Sequence, residues 1–228
     1  MPAFEHAVSL GYLYVETDVH ATADGVLVAF HDDTLDRVTD RTGRIADLPW
    51  SEVRRARVDG REPIPLLADL LGTWPHLRVN IDPKDDRAVG PLTEVIESVG
   101  AIDRVCVGSF SDDRLADLTA RLGPDLCSSL GPRAVAALRL GTDHQVIPRH
   151  ARCVQVPPRI GEVEIVDASF VATVHSRALQ VHVWTIDDPA EMDRLLDLGV
   201  DGLMTDQPAV LRDVLETRGQ WSAPSSRD

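Results

Sequence analysis

Apolar positions along the chain follow two alternating periods. Near-continuous or every-other-residue apolar runs occupy 12–19, 77–82, 104–109, 126–130, 153–157, 181–185 and 202–205. Between them, 65–73, 86–99, 111–122, 132–140, 167–179, 189–198 and 208–216 show helical spacing. The best-marked helix lies in "DDPAEMDRLLDLG". Asp188 suits its cap, Pro189 its first turn, Glu191 a capping box and Gly199 its end. Met192, Leu195 and Leu196 supply the buried face. Repeating strand–helix units with apolar strands predict a parallel sheet covered by helices.

The first element departs from this pattern. "PAFEHAVSLG" reads as a helix with Phe4, Ala7 and Val8 on one side, and no strand precedes it. The seven strand runs fall one short of the eight a closed barrel needs. The expected fold class is therefore α/β, a (β/α)8 TIM barrel missing its first strand. An open, doubly wound sheet is the alternative, but no Gly-rich βα turn of the dinucleotide or P-loop type supports it. Residues 1–216 read as a single barrel domain and 217–228 as a flexible tail.

Composition narrows the function classes. A net charge of −14 and a pI near 4.9 argue against nucleic acid and anionic membranes as partners. Cys106, Cys127 and Cys153 are widely spaced without a CxxC pair, which fits a reducing, cytoplasmic setting and structural thiols. No apolar run approaches the length of a transmembrane helix. Lys84 is the only lysine.

The densest chemistry lies in "YVETDVHATADGVLVAFHDD", residues 14–33. In a strand Glu16 and Asp18 project from the same face. In "VNIDPK", Asn80, Asp82 and Lys84 share parity in the same way. Barrel chemistry gathers at the C-terminal ends of strands, so Glu16, Asp18 and Asp82 are expected to converge at one mouth. Two like charges 4–5 Å apart repel by roughly 3–4 kcal/mol at an effective dielectric near 20. One lysine does not balance three carboxylates, whereas a hard divalent cation on oxygen ligands does, Mg²⁺ or Ca²⁺ rather than zinc. A solvated acidic rim is the plainer alternative. His31, at the end of "VLVAF", suits a general acid or base. Trp184 fits either the core or a wall for an apolar ligand group.

These residues, in this order, resemble the glycerophosphodiester phosphodiesterase family. The likeness rests on E-x-D, T-x-D-G, H-D and R-x-T within "VETDVHATADGVLVAFHDDTLDRVTDRTG". It continues through "VNIDPK", "VGSF" and "VWTIDDPAEMDRLLDLGVDGLMTDQP". The resemblance implies a barrel in which Glu16, Asp18 and Asp82 bind one divalent cation, Mg²⁺ or Ca²⁺. It makes His31 one of two catalytic histidines, places Lys84 beside the phosphate, and treats "VLVAFHDD" as an excursion from the barrel. The implied activity is hydrolysis of a small-molecule glycerophosphodiester to glycerol 3-phosphate and an alcohol. The family's H-R-G and P-E-N-T motifs, which carry the second histidine, are not found. Met1 is accordingly expected to be an internal methionine of a longer protein, and the chain as written to have impaired activity. A non-catalytic, metal-binding remnant is the rival reading. Open sheet edges would favour homo-oligomers.

Overall fold

The computed structural model describes residues 1–142, 148 and 151–221. Within it the chain forms two compact units, Met1–His6 with Leu13–Cys127, and Ala7–Tyr12 with Ser128–Asp228. The first helix, α1 (Pro2–Ser9), buries no residue; Phe4, Ala7 and Val8 are half-buried.

In the first unit the order is β1 (Tyr14–Ala21), β2 (Leu27–Ala29), α2 (Trp50–Val53), β3 (Arg57–Val58), β4 (Glu62–Pro63), α3 (Leu67–Thr73), β5 (Arg78–Pro83), α4 (Val89–Val99), β6 (Val105–Val107) and α5 (Asp112–Leu122). Its strands lie in the order β6-β5-β1-β2. β1, β5 and β6 are parallel, whereas β2 folds back antiparallel on the end of β1, pairing Val19 with Ala29 and Ala21 with Leu27. The "VLVAF" run is thus the expected excursion. It has its own small core of Val28, Leu35, Ile45, Val53, Ala56 and Ile64. Helix α5 starts at Ser111, whose hydroxyl accepts the Arg114 N–H at 3.2 Å, and it buries Leu115 and Leu118.

The second unit contains β7 (Cys127–Ser129, shared at its start with the first), α6 (Pro132–Leu140), β8 (Ala151–Val156), the hairpin β9 (Arg159–Ile160) and β10 (Val163–Glu164), α7 (Ala168–His175), β11 (Gln180–Val183), α8 (Pro189–Asp197), β12 (Gly202–Leu203) and α9 (Pro208–Thr217). Its sheet order is β12-β11-β8-β7, and helices α7 and α8 bury Phe170, Val171, Val174, Met192 and Leu195 in its core. Asp188 caps α8 from Ala190 N–H as expected. Glu191 instead turns both oxygens to Arg194, at 2.7 Å each, because a bidentate guanidinium outcompetes a single backbone amide. Helix α7 ends at His175, before the expected residue 179, and the chain turns left-handed at Ala178. The expected tail is held at its start: Trp221 N–H donates to Leu215 O at 3.1 Å, and its ring meets Tyr12 edge-on at 4.9 Å. The rest of that tail, 222–228, lies outside the described residues.

All seven predicted strand runs form strands. Among the described residues no helix is long and apolar enough to cross a membrane.

Candidate active site

Strand pairing builds the site. β1 and β5 run parallel with Glu16 opposite Asn80 and Asp18 opposite Asp82. Their upper ends are pinned where Lys84 N–H donates to Val19 O at 3.1 Å and Gly108 N–H donates to Ile81 O at 3.0 Å. Asp18 and Asp82 are each 9% exposed, and Glu16, two residues earlier on the same face, is exposed.

Lys84 bridges the two buried carboxylates. Its Nζ lies 2.6 Å from Asp18 Oδ1 and 2.8 Å from Asp82 Oδ2. Burial pushes the Asp82 carboxyl above its ordinary range, and the Lys84 hydrogen bond only partly offsets this. Burial also works against the Lys84 charge, but hydrogen bonds to Asp18 and Asp82 together outweigh it and raise its pKa. The second oxygen of Asp82, Oδ1, is buried without a hydrogen-bond partner. Such an atom is costly unless something satisfies it.

His31 stands just beyond β2. Its Nδ1 lies 2.7 Å from Asp32 Oδ1, and its Nε2 lies 3.9 Å from Asp18 Oδ2. Arg37 grips Asp32 with two bonds, Nε to Oδ2 at 2.7 Å and Nη2 to Oδ1 at 2.8 Å. Those arginine bonds lower the Asp32 carboxyl to about 2. A carboxylate only accepts, so the proton shared with Asp32 sits on Nδ1, and Nε2 is the ring atom left toward Asp18. The backbone around His31 is bonded too: Phe30 N–H donates to Asp18 O at 2.9 Å, and His20 Nε2 lies 3.1 Å from His31 O.

From α5, Arg114 ties the end of β5 to the loop after β6. Its Nη1 donates to Pro83 O at 2.7 Å and to Ser109 Oγ at 3.0 Å, while Nε reaches Asp86 Oδ1 at 3.1 Å. Phe110, 67% exposed, presents its ring 5.9 Å from Lys84 Nζ. The arrangement sets an oriented imidazole beside a buried carboxylate pair that shares one ammonium.

The model of the glycerophosphoryl diester phosphodiesterase family matches residues 1–210. The chain belongs to that family. Membership makes it a phosphoric diester hydrolase. It is 41% identical over 227 residues to "Probable glycerophosphodiester phosphodiesterase 2" of Mycobacterium tuberculosis, covering 97% of this chain and 86% of that protein. A glycerophosphodiester phosphodiesterase from Parabacteroides distasonis superposes with a TM-score of 0.77 at 23% identity, over 95% of this chain and 89% of that one. An Oleispira antarctica phosphodiesterase, solved with the product sn-glycerol-3-phosphate, gives a TM-score of 0.76 at 20% identity, over 94% and 90% of the two chains. The fold class is the family's (β/α)8 barrel, as the sequence led us to expect.

Asp18, Asp82, Lys84 and His31 come together in this glycerophosphoryl diester phosphodiesterase; Glu16 lies on the same β1 face as Asp18. Among the described residues, no three His, Cys, Asp or Glu side chains are grouped so as to hold a metal ion. Trp184 lies in the second unit just past β11, half-buried, its N–H donating to Val156 O at 3.2 Å. Arg37 and Arg114 were not singled out from the sequence, and Asp32 was noted only as part of the H-D pair. The R-x-T motif contained a signal for Arg37; nothing in the pattern of α5 marked Arg114.

Proposed function

We propose that this family member hydrolyses glycerophosphodiesters to glycerol 3-phosphate and an alcohol at the Asp18–Lys84–Asp82 cluster, with His31 as the proton-transfer group. The observation that carries this reading is the pairing of that cluster with an imidazole whose Nδ1 is tied to an arginine-clamped Asp32. Lys84 supplies the positive charge that meets the phosphate. Asp32 keeps the His31 proton on Nδ1 and leaves Nε2 to exchange a proton with a reacting oxygen.

The chemistry of Glu16, Asp18 and Asp82 also suits a divalent cation, which would have to draw the three carboxylates together. Glu16, Asp18 and Asp82 are all oxygen ligands, and the unpartnered, buried Asp82 Oδ1 has a lone pair to give. When bound, Mg²⁺ or Ca²⁺ would polarise the phosphate and lower the charge developing on it. The ammonium between Asp18 and Asp82 then has to give way.

Turnover of glycerophosphocholine, followed by release of glycerol 3-phosphate with Mg²⁺, with Ca²⁺ and after chelation, tests the proposal. His31→Ala is expected to lower kcat by about 10²–10⁴ while leaving metal affinity unchanged. Metal binding without turnover by the wild type would make the chain a binding remnant and refute the reading.

A further inference from the structure

His20 is a buried polar side chain that the chemistry above does not use. It stands on the same face of β1 as Asp18, two residues on, and is 3% exposed. A buried imidazole is costly unless it is hydrogen-bonded. Its bond is made to an unusual place: Nε2 lies 3.1 Å from the main-chain oxygen of His31. A carbonyl oxygen can only accept, so Nε2 carries the hydrogen and the ring donates.

This bond is one of a pair. One step along the chain, Phe30 N–H donates to Asp18 O at 2.9 Å. Residues 18 and 20 of β1 therefore hold residues 30 and 31, one through backbone and one through a side chain. His31 needs such holding. Its side chain is 75% exposed, so packing does not orient it, and Asp32 fixes only the Nδ1 edge of the ring. The distance from Nε2 to Asp18 Oδ2, 3.9 Å, depends on where the His31 backbone sits.

We infer that His20 is a positioning residue: its Nε2–H anchors the His31 carbonyl to β1 and sets His31 against Asp18. The inference rests on the assignment of His31 as the proton-transfer group. A displacement of about 1 Å at a reacting group can cost on the order of 10²-fold in rate.

The test compares His20→Leu, His20→Gln and His20→Asn. A glutamine amide nitrogen reaches about where Nε2 lies, and an asparagine nitrogen only where Nδ1 lies. His20→Leu is expected to lower kcat by about 10- to 100-fold, with KM for glycerophosphocholine and calorimetric Mg²⁺ affinity unchanged. His20→Gln is expected to restore kcat to within about threefold, and His20→Asn to restore little. Should His20→Leu not fold, the Gln and Asn variants decide alone. Equal kcat in the Gln and Asn variants would overturn the inference, as would a His20→Leu enzyme altered only in thermal stability. Histidine-ring ¹H–¹³C spectra give a readout independent of turnover. The His31 signals should shift in His20→Leu and return in His20→Gln; identical His31 signals in all forms refute the positioning role. If wild type shows no turnover, the functional proposal fails while the spectra still decide the role of His20.

Discussion

Replacing Lys84 with methionine keeps the volume of the side chain and removes its charge. In the folded protein that charge lies 2.6 Å from one oxygen of Asp18 and 2.8 Å from one of Asp82, and the three side chains are 27%, 10% and 12% exposed. At an effective dielectric near 20, each contact is worth roughly 6 kcal/mol of attraction before desolvation is charged against it. Removing one partner of a buried ion pair typically costs about 3–5 kcal/mol, because the remaining charge has no counter-ion. The metal-free Lys84→Met protein should therefore be less stable than wild type by about that amount at neutral pH. Its deficit should shrink on acidification. Asp82 has a folded-state pKa above its ordinary 3.8 even beside Lys84, so the folded form holds the extra proton more tightly in that window and gains stability as pH falls through it. In wild type, the Lys84 contribution is fully present below its ordinary 10.5 and is lost as pH rises through its raised folded value. A divalent cation should reverse the ranking. A dipositive ion about 4.5 Å from an ammonium is repelled by roughly 7 kcal/mol at that dielectric, and solvent screening leaves a fraction of it. Metal affinity should rise about 10- to 100-fold in Lys84→Met, and saturating metal should restore its stability. Urea unfolding with and without Mg²⁺, and titration calorimetry with Mg²⁺ and Ca²⁺, measure both effects. A variant as stable as wild type without metal, or one that binds metal more weakly, would refute this account of Lys84.

Three further outcomes follow from the same geometry. Asp18→Asn should weaken Mg²⁺ and Ca²⁺ binding strongly in calorimetry; equal affinities in mutant and wild type would remove Asp18 from the ligand set. Arg37→Met should return Asp32 from about 2 toward its ordinary 3.8, so the anchor on His31, normally lost only as pH falls through about 2, should fail near pH 4. Carboxyl ¹³C titration measures this, and an unchanged Asp32 midpoint counts against the clamp. Gly202→Ala would set a β-carbon 2.9 Å from His182 Cδ2, and such overpacking should cost about 1–3 kcal/mol in urea unfolding. Stability equal to wild type would show that the His182 ring moves aside freely.

Much of this was legible in the chain because it depends on local periodicity. Glu16 and Asp18 share a face by strand parity alone, and the seven apolar runs became strands with only their ends moved. Asp188, Pro189 and Gly199 mark α8 because capping needs only near neighbours. Register is different. Asp18 faces Asp82 because β1 pairs with β5 across more than 60 residues of chain, and neither strand states that alignment alone. For the same reason the sequence led us to expect three converging carboxylates around a cation, whereas the folded chain puts its own ammonium between two of them. Arg37 reaches Asp32 across an irregular loop and Arg114 reaches Pro83 from a helix, so no period announces either. Glu191 shows competition between local rules: the capping-box spacing was present, but Arg194 three residues on offered a stronger partner.

The ammonium between Asp18 and Asp82 is also the chain's only side-chain amine. Among side chains, reductive methylation with ¹³C-formaldehyde would thus label Lys84 alone, and only once a cation has released it. A single lysine resonance would then report the occupancy of the site without a background to subtract. Because Nζ is pressed between two carboxylates, the amine should resist modification in the free protein and become reactive once a cation releases it. Labelling rate would then serve as a direct count of sites filled, in a protein that otherwise uses arginine for every cationic side chain it needs.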